Sequence, residues 1–414
     1  MPPYTRLTVV AEAALLALAA WSAAATFNAL RPFRNDWVLL PSMFWSWLVI
    51  GLPLQHAIVQ MTLAALLVAL GALDGPVGRL GLAVLVLSWI GSVVLLVRAR
   101  SVKGVVGAVL EAAGIPPAQG RVPLWRVVLA IPLRGRGVER VRNVPFRRVA
   151  GRTLKLDIFR RPDGGAGKPV LLYLHGGAWT VGDKREQGLP LLHHLARNGW
   201  ACVTANYRLS PGATFPDHLL DAKAALAWIR QHGPEHGMDP SFVALAGGSA
   251  GGHLAALVAL TENDQRYQPG FEAVDTSVQA AVPLYGIYDL TNRLGAQSKS
   301  FVPMLMEPIV MKAFLDDEPE KYAEASPIDR VHPGAPPFLV VQGDRDTLAP
   351  VVETRAFVER LARVSNRRVV YLELPGAQHI FDLFYSQQSA RVIEGVQAFL
   401  DDERNRAKAG PDGA

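Results

Sequence analysis

The 414-residue chain contains one cysteine, Cys202. An intrachain disulfide is therefore excluded, and the apolar run WACVTANY around this residue predicts a buried thiol rather than a reactive one. No internal repeat is visible. A phosphate-binding loop is also missing: PDGGAGKPV contains Gly-Lys, but Pro162 and Pro169 stand where that loop needs a Gly and a Ser or Thr, so the segment reads as a turn between two strands. Aromatics are not interleaved with the basic residues at base-stacking density and no nucleic-acid module is present, which excludes nucleic acid as a partner. Ionisable residues are scarce in the three long apolar stretches of the first hundred positions (Glu12 and His56, with Arg79 near an end), which provides no ion pathway.

Apolar residues are abundant, at 50% of the chain, and they are concentrated at the N-terminus. Crossing a bilayer takes about 20 apolar residues. Thr8–Leu30, Gly51–Leu73 and Pro76–Val97 meet that length, and the Trp-rich Trp37–Ile50 reads as an interfacial or re-entrant lead-in to the second. A cleaved signal peptide would account for the first stretch but not for the other two. With three spans, Arg31, Arg34, Arg98, Arg100 and Lys103 share one side and Arg6 and Arg79 the other. The excess of positive charge places the C-terminal part in the cytoplasm, on a multi-pass protein of the inner membrane. The net charge of +6 is local. Residues 98–152 hold 12 Lys/Arg against 2 Asp/Glu, which suits contact with anionic lipid as well as topology determination.

From about Asn143 the pattern changes. TLKLDIFRR, PVLLYLHG, WACVTANYRL, SFVALAGG, VQAAVPLYG, PFLVVQGD and RRVVYLELPG read as strands. DHLLDAKAALAWIRQH, VVETRAFVERLARV and QQSARVIEGVQAFLDD read as amphipathic helices. Strand–helix alternation over this length implies an α/β domain with a mostly parallel sheet covered on both faces. The expected organisation is a transmembrane helical region at 1–100, a basic juxtamembrane linker at 101–144 with a short interfacial helix near Val122–Leu133, a catalytic α/β domain at 145–403 and a disordered tail at 404–414.

Gly247-Gly248-Ser249-Ala250-Gly251 is a G-x-S-x-G sequence between a buried strand and an apolar helical run. Such a turn strains the central residue and holds its hydroxyl clear of the backbone at a helix N-terminus. Ser249 is thus the candidate nucleophile, and it needs a base and an orienting acid downstream. Of the later histidines, His332 lies in a turn, whereas His379 follows the last strand and is the expected base. FLVVQGDRDTLAP offers Asp344 and Asp346. Asp346 is better placed to bend toward His379, and Asp344 to fix the turn. In LYLHGGAWTVGD the N–H groups of Gly176 and Gly177, with that of Ala250, are the expected oxyanion donors, and Trp179 is expected at the pocket mouth. His175 and His253 read as structural. Residues 290–330 read as a cap.

These segments, HGGAW, YRLSP, FPDHLLDAKAALAWI, GGSAGGHLA, GDRDTLAP and QHIF, resemble the hormone-sensitive-lipase-like branch of the α/β-hydrolases over about residues 145–402. The resemblance implies an α/β-hydrolase fold and hydrolysis of carboxylic esters through an acyl-enzyme. It implies Ser249 as nucleophile, His379 as base, Asp346 as acid and Gly176, Gly177 and Ala250 as donors, with no metal or organic cofactor. Ala178 departs from the pattern, standing where many members have a third Gly. An acyltransferase, or an amide or peptide hydrolase using the same triad, is the alternative. The substrate expected beside a bilayer is a lipid-derived ester; oligomeric state is left open.

Overall fold

The computed structural model describes residues 6–116, 124–130, 137–162 and 165–409. Eight strands form one sheet: β1 (Glu139–Val149), β2 (Arg152–Arg160), β3 (Lys168–Leu174), β4 (Ala201–Ala205), β5 (Met238–Gly248), β6 (Ala280–Leu284), β7 (Phe338–Gly343) and β8 (Val369–Leu374). Their order is β1-β2-β4-β3-β5-β6-β7-β8. The β1–β2 and β2–β4 pairs are antiparallel and all others parallel. The helices are α1 (Arg6–Leu30), α2 (Leu39–Gly51), α3 (Pro53–Ala69), α4 (Pro76–Ala112), α5 (Leu124–Leu129), α6 (Leu189–Arg197), α7 (Asp217–His232), α8 (Ala250–Ala259), α9 (Pro319–Ala325), α10 (Val351–Val364) and α11 (Gln387–Ala409).

The pleat sorts the side chains of the parallel strands into two cores. On β3, Val170, Leu172 and Leu174 join α7, α8 and α10 on one face, while Leu171 and Tyr173 join α6 and α11 on the other. Period-2 alternation within a continuous apolar run is what a strand buried on both faces requires.

Three expected boundaries are corrected. The tract 101–144 is not simply a linker. Helix α4 continues to Ala112, and Val102, Val106 and Leu110 are buried in the α6–α11 face of the sheet core. The reason is a 3–4 residue apolar spacing in SVKGVVGAVLEA that the surrounding basic residues obscure. The sheet also begins earlier than residue 145, at Glu139, where Arg140 and Arg147 pair with Asp157 and Asp221 instead of facing lipid. Finally, α11 runs through the expected tail to Ala409, carried by good helix formers and an Arg406–Asp402 pair one turn apart. Residues 410–414, and most of 117–136, lie outside the described residues.

Helices α1 and α4 are long and apolar enough to cross a membrane. The Trp37–Ile50 lead-in is itself helical: α2 meets α3 at 90° across Leu52–Pro53, and the bent pair taken together is also long and apolar enough to cross a membrane. Pro53 begins α3, where its missing N–H and fixed φ do least harm. Leu63, Leu66, Leu80, Leu87, Ile90, Val93 and Val97 are exposed along this bundle, an apolar surface suited to lipid. Inside it small residues let backbones approach: a Cβ on Gly81 would lie 3.0 Å from the Leu16 nitrogen.

Candidate active site

The parallel register brings four strand ends into one row. Leu174 of β3 lies opposite Gly247 of β5, and Gly248 lies opposite Leu284 of β6. Gly343 of β7 lies opposite Leu374 of β8. The residues that follow β3, β5, β7 and β8 therefore leave the sheet side by side, at its C-terminal edge, where open α/β sheets bind ligands.

Ser249 joins β5 to α8 with φ 57° and ψ −123°, a backbone region that non-glycine residues rarely occupy. The neighbours must be glycine for contact reasons. A Cβ on Gly247 would come within 2.7 Å of the Leu174 carbonyl, and one on Gly251 within 2.6 Å of the His175 carbonyl. The Ser249 N–H donates to the Leu284 carbonyl at 3.0 Å. The turn is thus pinned from both sides and the hydroxyl is thrown outward.

The structure brings Ser249, His379 and Asp346 together. The Ser249 hydroxyl donates to His379 Nε2 at 2.9 Å, and His379 Nδ1–H donates to Asp346 Oδ2 at 2.8 Å. Asp346 Oδ1 accepts from the Leu348 and Ala349 N–H groups at 2.9 and 2.8 Å, and Gln342 Nε2 donates to Oδ2 at 3.0 Å. These donors hold the carboxylate aimed at His379. Asp344 does something else: it accepts from the Gly376 N–H at 2.7 Å and fixes the β7–β8 turn. His332 precedes the start of β7, away from the C-terminal strand ends that form this row, and is partly exposed.

The loop after β3 runs against Ser249. A Cβ on Gly176 would sit 2.7 Å from the Gly248 carbonyl and 3.0 Å from Ser249 Cβ. Its N–H, however, donates to Gln187 Oε1 at 2.7 Å, so Gly176 differs from the other expected donors in being already engaged. Gly177, Ala178 and Trp179 follow with φ of 120°, 51° and 59°, three consecutive residues in the left-handed half of the map. Ala250 is the first residue of α8, so its N–H has no partner within the helix. Among the described residues, no hydrogen bond from the N–H groups of Gly177, Ala178 or Ala250 to an acceptor of the fold is found. Trp179 is corrected: it is 2% exposed, a core residue rather than a rim residue. Its indole donates to His253 Nδ1 at 3.2 Å. His253 Nε2–H in turn donates to the Ala325 carbonyl at 2.7 Å, and burial depresses this imidazole to about 4. His175 stacks on Tyr207 with ring centroids 4.4 Å apart, and burial lowers its pKa also. Burial pushes the Cys202 thiol up, as expected of an inert cysteine.

The 290–330 segment contains a π-helical stretch, Phe301–Met311. Met306 and Met311 are core residues there, while Met304 and Phe314 are exposed. A cavity of about 460 Å³ lies between Arg34, Asn35 and Trp37 of the α1–α2 connection, Gln297 and Ser298 of the 290–330 segment, and Asp346. Among the described residues no three His, Cys, Asp or Glu side chains converge as a metal site would. Sequence reasoning missed Gln187, Gln342 and Gln378. Gln378 Oε1 accepts from the N–H groups of His379 and Thr347, both at 2.9 Å; its place next to the base was the available signal.

A family model described as BD-FAE matches residues 156–361. The "Probable carboxylic ester hydrolase LipM" of Mycobacterium tuberculosis is 42% identical over 410 residues, 95% of this chain and 94% of that protein. "Esterase LipQ" of the same organism is 47% identical over 252 residues, 60% of this chain and 59% of that one. Among solved structures, a truncated carbohydrate esterase from gut microbiota superposes with a TM-score of 0.56 at 21% identity, covering 65% of this chain and 97% of its own. A thermophilic esterase of Thermogutta terrifontis gives 0.54 at 24%, covering 66% and 95%. At these identities the structural likeness concerns the fold.

Proposed function

The chain belongs to the hormone-sensitive-lipase-like α/β-hydrolases and is a carboxylic ester hydrolase, and from that premise we propose that Ser249, His379 and Asp346 are its catalytic triad and that its substrates are acyl-lipid esters reached from a membrane. The unbroken line from Asp346 through His379 to Ser249, with both links under 3 Å, carries the reading.

His379 Nε2 takes the Ser249 proton as Oγ attacks the ester carbonyl. The oxyanion is held by the N–H groups of Gly177, Ala178 and Ala250, all fixed before substrate arrives, which is where such sites gain most of their rate. The alcohol leaves with the proton returned from Nε2. Water then enters, His379 takes its proton, and Ser249 is released with the acid. Throughout, Asp346 keeps Nδ1 protonated and stabilises the transient imidazolium. The Gln187 contact gives Gly176 a positioning role in the oxyanion loop.

The lipid part of the proposal rests on the apolar N-terminal helices, which we read as an anchor that holds the catalytic part at the cytoplasmic face of the membrane. Hydrolysis of p-nitrophenyl esters from acetate to palmitate by the detergent-solubilised full chain tests both parts. Ser249→Ala is expected to fall by at least about 10⁴-fold, and long micellar esters to turn over better than short soluble ones. Full activity in Ser249→Ala would refute the triad; a preference for short esters would refute the lipid substrate.

A further inference from the structure

Helix α2 lies more than 320 residues before His379 in sequence yet touches the loop that carries it. Gln378 Nε2 donates to Ser46 Oγ at 2.9 Å. The Trp47 indole donates to the Ile380 carbonyl at 2.9 Å. The same indole stacks on Phe384, with centroids 5.1 Å apart and planes within 20°. These contacts flank the base on both sides.

Gln378 and Ser46 are both fully buried, so each polar atom needs a partner. Ser46 Oγ–H donates to the Met43 carbonyl at 3.1 Å within α2. The hydroxyl therefore has a lone pair, and no proton, to offer Gln378. That fixes which end of the amide faces α2: the NH₂ end. The carbonyl end must then face the other way, where it accepts from the N–H groups of Thr347 and His379 at once. One oxygen thus ties the acid's loop to the base's loop. A flipped amide would present N–H to N–H at both of these contacts. No other acceptor for Nε2 lies among the hydrogen bonds of the described residues.

We propose that Ser46, on a helix of the N-terminal apolar region, is a positioning residue for ester hydrolysis: by accepting from Gln378 it sets the amide that clamps the Asp346 and His379 loops together. Trp47 is its neighbour in the same task, and α2 is a working part of the catalytic centre as well as of the anchor. The proposal rests on the triad reading above. A displacement of about 1 Å at a reacting group lowers rate by about 10²-fold, so partial loosening of a loop is expected to lower it about tenfold.

The test uses the full chain in detergent with p-nitrophenyl butyrate, and active sites counted by the p-nitrophenol burst from a p-nitrophenyl alkylphosphonate. Ser46→Ala is expected to lower kcat per counted site about tenfold with KM within about twofold; Ser46→Thr, which keeps the hydroxyl, recovers most of the loss. Ser22→Ala removes another fully buried serine hydroxyl of the same bundle and leaves kcat per site unchanged. A wild-type kcat per site in Ser46→Ala overturns the proposal. A reduced number of sites with normal kcat per site also overturns it, since that is a purely structural role. If Ser46→Ala does not fold, Trp47→Phe decides: it removes the donor to Ile380 while keeping a ring on Phe384, and kcat per site is expected to fall about threefold. An unchanged kcat there overturns the proposal. Ser249→Ala in the same assay separates the two readings, because activity in that variant refutes the triad itself, whatever Ser46 does.

Discussion

At the scale of single residues, burial settles the protonation of two groups, His253 and Glu353. His253 must donate through Nε2 to a carbonyl and accept through Nδ1 from Trp179, so only the neutral ring fits. Its folded-state pKa of about 4 lies below the free imidazole value. The unfolded chain therefore takes up a proton near pH 6.5 that the folded chain refuses until about 4, and stability falls as pH drops through that window, by about 3 kcal/mol when complete. Glu353 works in the opposite direction. Burial raises it to about 7, so the folded chain holds a proton the unfolded one has lost, a contribution present below about 4.5 and lost as pH rises through 7. Comparing the wild type with His253→Gln isolates the imidazole. Denaturant unfolding in detergent is expected to show the stability gap between the two shrinking by more than about 1 kcal/mol from pH 7 to 4.5; a constant gap would contradict a neutral His253. The grouping of Ser249, His379 and Asp346 was legible at this scale because a G-x-S-x-G turn needs glycine neighbours and because the residues expected to join it follow strands. Gln378 and Gln187 were not. A glutamine has no sequence signature for clamping, and its role exists only once distant loops meet.

At the scale of elements, the strands and the helices α7 and α10 were readable from periodicity. α10 shows apolar residues at regular 3–4 spacing, and β3 is an unbroken apolar run. What failed to show was continuity across a change of surroundings. Helix α4 has 37 residues, about 55 Å at 1.5 Å per residue, well beyond a hydrocarbon core of about 30 Å. Its first part is apolar all round. Its second part is amphipathic and basic, and buries Val102, Val106 and Leu110 against α11 and the sheet. One helix thus belongs to two environments, and a reading by composition splits it where the environment changes. The expected consequence is that Leu110→Ala, 35 residues before the expected start of the catalytic domain at 145, destabilises the esterase fold by about 2–5 kcal/mol. Loss of that size shows in thermal unfolding followed by residual esterase activity; an unchanged transition would mean that this end of α4 packs only loosely.

At the scale of the whole molecule, two assemblies share one interface. The N-terminal helices offer an apolar exterior, and the sheet supports a row of loops at one edge. They meet where α2 touches the loop of the candidate base and where the second half of α4 enters the sheet core. Helix α2, which makes the first of these contacts, stands at 90° to α3. An esterase organised this way is joined to its apolar helices by side chains as well as by the chain itself. The account stands on Ser249 being the nucleophile. The most direct measurement is peptide mass mapping of the full chain after reaction with a p-nitrophenyl alkylphosphonate, alongside the release of p-nitrophenol. The account predicts about one equivalent released per chain, with the adduct on the peptide that contains Ser249 and ester hydrolysis lost in step. An adduct on any other residue, or continued ester hydrolysis by a chain fully modified at Ser249, would contradict it.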